Sequence, residues 1–295
     1  GAIHRIRAGL PDAGAWRQAI VLALDLASPS EAERWLQLKD LWSGGADDFA
    51  QAYVRLRAAL ELRPTRVTRE SVDALAARAR TQEEQAKCAL IQLIWETHHG
   101  DPAAAIAQGV QWAGWTAGEA PMLAAELLRH VALARMDLDE LETALGDCRR
   151  AVVLAREAAW RNSQEDSTEP GRRPPAPPRP PPLTRVEVEA ATTLSAALLY
   201  AGRTREGTRL CEEMAERCRK EGLLRGQGAF LANLAAGQLY LGQRDLAAQS
   251  LSRCRAVQTG HGDPIILAYA STYQARLAID RGDSPAARAL LDEAM

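Results

Sequence analysis

The sequence predicts an all-α protein, a right-handed superhelix of stacked antiparallel helix hairpins. Three observations predict it. Ala and Leu dominate an apolar fraction of 47 %, with only two Phe and few β-branched residues, a balance that favours helices over strands. A short pattern returns every forty residues, as LYAGRTREGTRLC (199–211), LYLGQRDLAAQSL (239–251) and IDRGDSPAARALL (279–291). Helix-start signals recur between the apolar stretches, in the form of Asp or Ser before Pro and of Ser or Thr three residues before Glu.

The repeat defines its own elements. With Gly202, Gly242 and Gly282 as origins, Leu199, Leu239 and Ile279 stand three before, and Ser195, Ala235 and Ala275 seven before. Gly207, Ala247 and Ala287 stand five after, and Cys211, Leu251 and Leu291 nine after. Small residues let two helix axes approach, and a bulky residue a turn further on fills the groove beside them. Glycine between the helices admits the positive φ that ends the first. One hairpin cannot bury both its faces, so several must stack.

A glycine followed by a small residue at +5, a bulky one at +9 and a small or apolar one at +12 resembles the second helix of a tetratricopeptide repeat. Leu231, Leu234 and Ala235 sit where that family places the bulky, bulky and small residues of its first helix. The period there is about 34 residues, shorter than the one here. The longer unit resembles the tetratricopeptide-like solenoid of bacterial signal-transduction regulators related to the maltose-regulon activator. That resemblance implies a non-enzymatic domain whose concave groove is lined by the first helix of each hairpin. It also implies a parent protein with an upstream nucleotide-binding switch and a downstream DNA-binding helix–turn–helix, neither of which lies in this chain.

Upstream the pattern degrades. His99-Gly100-Asp101-Pro102 is expected to make the same turn, with Ala105 at +5 and Trp112 at +12. Around Met136–Asp139 two registers fit, one using Ala144, Cys148 and Ala151 and the other Leu141, Leu145 and Cys148. Gly45 with Ala50 and Val54 is a further candidate. Helices are expected near 12–26, 31–42, 46–62, 68–79, 82–98, 102–113, 118–135 and 138–160. Asp101-Pro102, Asp263-Pro264 and Ser284-Pro285 read as N-caps before proline, and Ser30 with Glu33, Thr81 with Glu84 and Thr184 with Glu187 as capping boxes.

Residues 162–185, NSQEDSTEPGRRPPAPPRPPPLTR, hold eight of the chain's fifteen prolines. Such a stretch is expected to be a disordered or polyproline-II loop without apolar anchors. It lies between a degenerate N-terminal helical part, 1–161, and three repeats over 186–295, and the repeat-like helices on both sides are expected to form one continuous superhelix. Pro-x-x-Pro spacings with Arg172, Arg173 and Arg179 suit an SH3- or WW-like partner as well as a plain connector.

Chemistry is scarce. The chain lacks a phosphate-binding Gly-Lys-Ser/Thr loop, a Gly-x-Gly-x-x-Gly run and a Gly-x-Ser-x-Gly elbow. No catalytic residue, cofactor or metal is expected: His98 and His99 point about 100° apart on a helix and read as polar helix-end residues. His261, in the turn TGHGDP, is explained by turn chemistry. The five cysteines read as buried packing residues, with Cys211 and Cys218 on one helix face. The tryptophans, Trp112 and Trp115 among them, read as core filling.

Charge narrows the partners further. Thirty-six basic and 38 acidic residues leave a formal charge of −2, with no case for nucleic-acid binding by this chain. No stretch is long and apolar enough for a membrane span and no signal peptide begins the sequence, so a soluble protein is expected; an odd number of cysteines within helical patterns makes a reducing cytoplasm the expected setting. A start at Gly1 and an end at Met295 inside a helix suit a fragment of a larger protein. The expected partner is a protein or peptide, or a small effector, with oligomerisation open. It would be held by the exposed groove positions Glu189, Thr192 and Tyr200, Asn233 and Tyr240, and Tyr269, Tyr273 and Arg276. Those tyrosines suit either the groove or half-buried seams between repeats. A stand-alone scaffold, using both groove and proline-rich segment, is the second reading.

Overall fold

A computed structural model describes residues 49–62, 64–165, 181–258 and 263–294. Among them every regular element is helical. They run as α1 (Phe49–Leu62), a 3-10 turn at Pro64–Arg66, α2 (Arg69–Ala76), α3 (Gln82–His99), α4 (Pro102–Thr116), α5 (Pro121–Asp137) and α6 (Leu141–Glu165). Then follow α7 (Arg185–Tyr200), α8 (Thr204–Glu221), α9 (Leu224–Tyr240), α10 (Arg244–Gln258), α11 (Pro264–Asp280) and α12 (Ser284–Ala294). The helices expected at 12–26 and 31–42, the Gly45 turn, the Ser30 cap and His261 lie outside the described residues.

The chain divides into two compact units between Ala134 and Arg135. In the first, Leu93, Ala105, Ile106, Val131 and Ala134 form a buried cluster. The buried Arg57 is held by Glu61 at 2.9 Å and Glu126 at 3.1 Å. The second unit contains the repeats. There α7 packs on α8, α9 on α10 and α11 on α12, while α7, α9 and α11 also touch in series. First helices therefore make one layer and second helices the other.

The unit boundary lies upstream of residues 162–185: α6 packs against α7 and brings both flanks of the proline-rich segment into one unit. Helix α6 also runs on to Glu165, past the expected loop start, since no breaker precedes Pro170 and Ser163 Oγ donates to the Trp160 carbonyl at 2.8 Å. The far flank has an apolar anchor after all. Leu183 is buried, and its N–H donates to Glu221 Oε2 at 2.6 Å. Residues 166–180, including Arg172, Arg173 and Arg179, lie outside the described residues.

Four turns within hairpins share one backbone device, which Gly222, with φ of 73°, repeats between hairpins. Asp139, Gly202, Gly242 and Gly282 have φ of 61°, 73°, 74° and 78°. At each, the N–H of the left-handed residue donates three residues back and the next N–H five residues back, as in Gly202 to Leu199 at 3.1 Å and Arg203 to Leu198 at 2.8 Å. The double bond satisfies carbonyls that a helix end otherwise leaves open. Asp139 thus takes the place of the glycine, which settles the two registers in favour of Ala144, Cys148 and Ala151; all three are fully buried. Aspartate tolerates this conformation better than most residues, but with a strain glycine lacks. Asp139→Gly is expected to stabilise the unit by about 0.5–1 kcal/mol after the added unfolded-state entropy is subtracted, read as a higher urea midpoint at unchanged slope.

Gly100 departs from the expected turn. Its φ is −137°, and the helix stops there because Asp101 enters the extended conformation that a residue before proline requires. Asp101 and Asp263 cap as expected, accepting from Ala103 N at 2.9 Å and Ile265 N at 2.9 Å. For α12 the cap moves back one residue, since Asp283 rather than Ser284 accepts from Ala286 N at 3.1 Å. Thr81 with Glu84 forms the full reciprocal box. Thr184 accepts from Glu187 N, yet the Glu187 side chain turns inward instead of closing the box.

Candidate functional site

The shared turn brings one position of each hairpin to the same register. Two residues before the left-handed residue stand Asp137, Tyr200, Tyr240 and Asp280, at the C-terminal ends of α5, α7, α9 and α11. Tyr200 and Tyr240 are 63 % and 61 % exposed, and Tyr269 on α11 is 56 % exposed. Tyr273, one turn further along α11, is half-buried. Four of the chain's five tyrosines thus stand on three first helices that touch in series, near enough to influence one another's ionisation.

The phenols sense one another. Burial pushes the Tyr273 hydroxyl up to about 12, helped by Tyr200, Tyr240 and Tyr269. Tyr200 is raised by burial, then by Tyr269, Tyr240 and Asp137, so the Asp137 carboxylate lies within electrostatic reach of the cluster. The folded Tyr273 keeps its proton longer than the unfolded one. Its contribution is therefore intact below the ordinary value of 10.0 and is lost as pH rises through about 12. An alkaline absorbance titration is expected to show one late-ionising tyrosine that disappears in Tyr273→Phe.

At the other end of the register Asp280 accepts from Arg244 Nε at 3.1 Å and faces Arg276 Nε at 3.5 Å. Arg244 first and Arg276 after it hold this carboxyl below its usual range. Arg276 is 70 % exposed.

Other positions expected to be exposed along the groove are occupied differently. Glu189 is half-buried and accepts from Arg185 at 2.7 Å, with Arg225 at 3.6 Å. Arg225 continues to Asp263 at 2.5 Å, so an ion-pair ladder joins the N-terminal ends of α7, α9 and α11. Thr192 Oγ1 donates to the Val188 carbonyl at 2.8 Å. Asn233 Nδ2 donates to Ser195 Oγ at 2.9 Å and to the Thr192 carbonyl at 3.4 Å, stitching α9 to α7. Their polar atoms are spent on the scaffold.

The remaining candidates resolve individually. All five cysteines are buried; burial lifts the Cys211 and Cys218 thiols to about 12 and Cys88 and Cys254 to about 11, which removes the thiolate that reactivity needs. His99 stacks on Trp95 at 5.1 Å, and among the described residues no group of three metal-binding side chains occurs. The described tryptophans do not fill the core as expected: Trp112 and Trp115 meet edge to face at 5.0 Å, with Trp115 54 % exposed, and Trp160 is 39 % exposed. No described helix is long and apolar enough to cross a membrane. Asp137 was missed by sequence reasoning, because Asp139 hides the register that identifies it.

This architecture is that of TPR-like helical repeat proteins. No protein-family profile matches the sequence, and no curated protein matches it. Solved structures share the fold at low identity. A Rap protein complexed with competence and sporulation factor superposes with a TM-score of 0.62 at 12 % identity, over 95 % of this chain and 74 % of that one. NprR in complex with its cognate peptide NprX gives 0.56 at 12 %, over 95 % and 77 %. A signal-transduction ATPase with a tetratricopeptide repeat sensor, PH0952 from Pyrococcus horikoshii, gives 0.54 at 11 %; this chain spans 95 % of its own length and 41 % of that protein.

Proposed function

We propose that the second unit is a non-enzymatic sensor that binds an extended peptide or a protein segment along the layer formed by α7, α9 and α11. The observation that carries this reading is the gathering of Tyr200, Tyr240, Tyr269 and Tyr273 on one surface. Tyrosines offer large contact area and a hydrogen-bonding hydroxyl at low entropic cost, as ligand surfaces require. The neighbours add support, since one is in complex with a cognate peptide and another carries a repeat sensor on a larger ATPase.

On this reading the chain is the sensing part of a larger bacterial signalling or transcription regulator, of the kind to which the maltose-regulon activator belongs, working in the cytoplasm. Nucleotide and DNA binding would belong to other parts of that protein. Panning a randomised linear peptide library on the chain tests the reading. Peptides should be recovered whose binding falls at least tenfold in Tyr240→Ala, with the helical circular dichroism unchanged. Recovery of no peptide, or of peptides indifferent to Tyr240→Ala and Tyr269→Ala, would sink it.

A further inference from the structure

We propose that the Asp137 end of the tyrosine surface, between Asp137, Tyr200 and Tyr240, receives a cationic side chain of the bound peptide. The inference rests on the peptide-binding reading above and adds the chemistry of the occupant. It comes from an asymmetry along the register of Asp137, Tyr200, Tyr240 and Asp280.

The two terminal carboxylates differ in what surrounds them. Asp280 has two guanidinium partners, Arg244 and Arg276, so that end carries an excess of positive charge. Asp137 is exposed and makes no ion pair among the described residues. Arg135 on its own helix, Arg149 on α6 and Arg203 before α8 are occupied elsewhere. Arg135 is committed to Asp147 and faces Glu140 at 3.6 Å; Arg203 pairs with Glu206 at 2.5 Å, and Arg149 with the same glutamate at 3.1 Å. The surface therefore runs from net negative at Asp137 to net positive at Arg276.

Between these ends lie the exposed rings of Tyr200 and Tyr240. A ring face attracts a cation through its quadrupole, and a carboxylate beside it adds a charge-assisted hydrogen bond. An arginine or lysine placed at this end meets both, whereas at the Arg276 end it meets repulsion. An anionic side chain has the opposite preference. The surface thus fixes a direction for the peptide as well as a composition.

The experiment pans the same library on the full chain, on Asp137→Asn and on Asp137→Lys. Wild-type selections should be enriched in arginine or lysine at one fixed position, Asp137→Asn should lose the enrichment, and Asp137→Lys should replace it with aspartate or glutamate. A synthetic copy of a selected peptide in which that arginine is citrulline, or that lysine norleucine, should bind about two- to thirtyfold more weakly to wild type, and the penalty should shrink in Asp137→Asn, where only the ring attraction remains. Peptides recovered without basic enrichment, or with enrichment that survives both Asp137 variants, would overturn the inference while leaving the groove reading standing. Failure to recover any peptide overturns both.

Discussion

Replacing Arg156 and Arg217 together by alanine is expected to lower the unfolding free energy by about 3–5 kcal/mol. Both guanidinium groups converge on one oxygen of Glu187, Arg156 Nε at 2.7 Å and Arg217 Nη1 at 3.2 Å, tying α6 and α8 to α7. The Glu187 side chain is 1 % exposed, and its second oxygen is buried with no hydrogen-bond partner among the described residues. Removing the arginines strands a carboxylate away from water.

The converse substitution behaves differently. Glu187→Met removes the buried charge and its unsatisfied oxygen, and leaves arginines that are 47 % and 28 % exposed and free to turn to solvent. It is expected to change stability by no more than about 1 kcal/mol. Urea unfolding of the variants at constant slope decides the matter; a Glu187→Met loss as large as that of the double arginine variant would show that the carboxylate itself organises the junction.

The second large effect is at Gly237, where α7, α8 and α9 meet. A β-carbon there would lie 2.4 Å from Thr208 Cγ2 and 3.0 Å from Leu199 Cδ2. Thr208 has little freedom to yield, because its hydroxyl donates to the Thr204 and Arg205 carbonyls at 2.9 and 3.0 Å and its χ1 is restricted by branching. Gly237→Ala gains about 1 kcal/mol of helix propensity and still loses about 1–3 kcal/mol overall, the range for overpacking a core. Thr208→Ser removes the obstructing methyl, so the double variant should recover most of the loss. Additive effects in that cycle would place the strain elsewhere.

Much of this fold is legible from local pattern. The forty-residue period, the left-handed glycines and the Asp-Pro caps each reflect a requirement satisfied within a few residues, so a short window reveals them. The register at Asp139 is not legible in the same way, since aspartate in a left-handed turn looks like aspartate in a loop. The Glu187 box fails for a related reason: capping competes with two arginines from α6 and α8 that are remote in sequence.

The candidate site divides similarly. Tyr200 and Tyr240 share an offset that marks them as equivalent, but equivalence does not distinguish a groove from a seam. Asn233 and Glu189 have the same kind of offset, and packing spends them on Ser195 and Arg185. By itself the sequence determined the helical class, the hairpin period and where most turns fall, because these depend on backbone preferences and neighbours a turn away. Only the tertiary structure decided which polar side chains remain available, because burial and pairing arise between helices that the chain order does not place side by side.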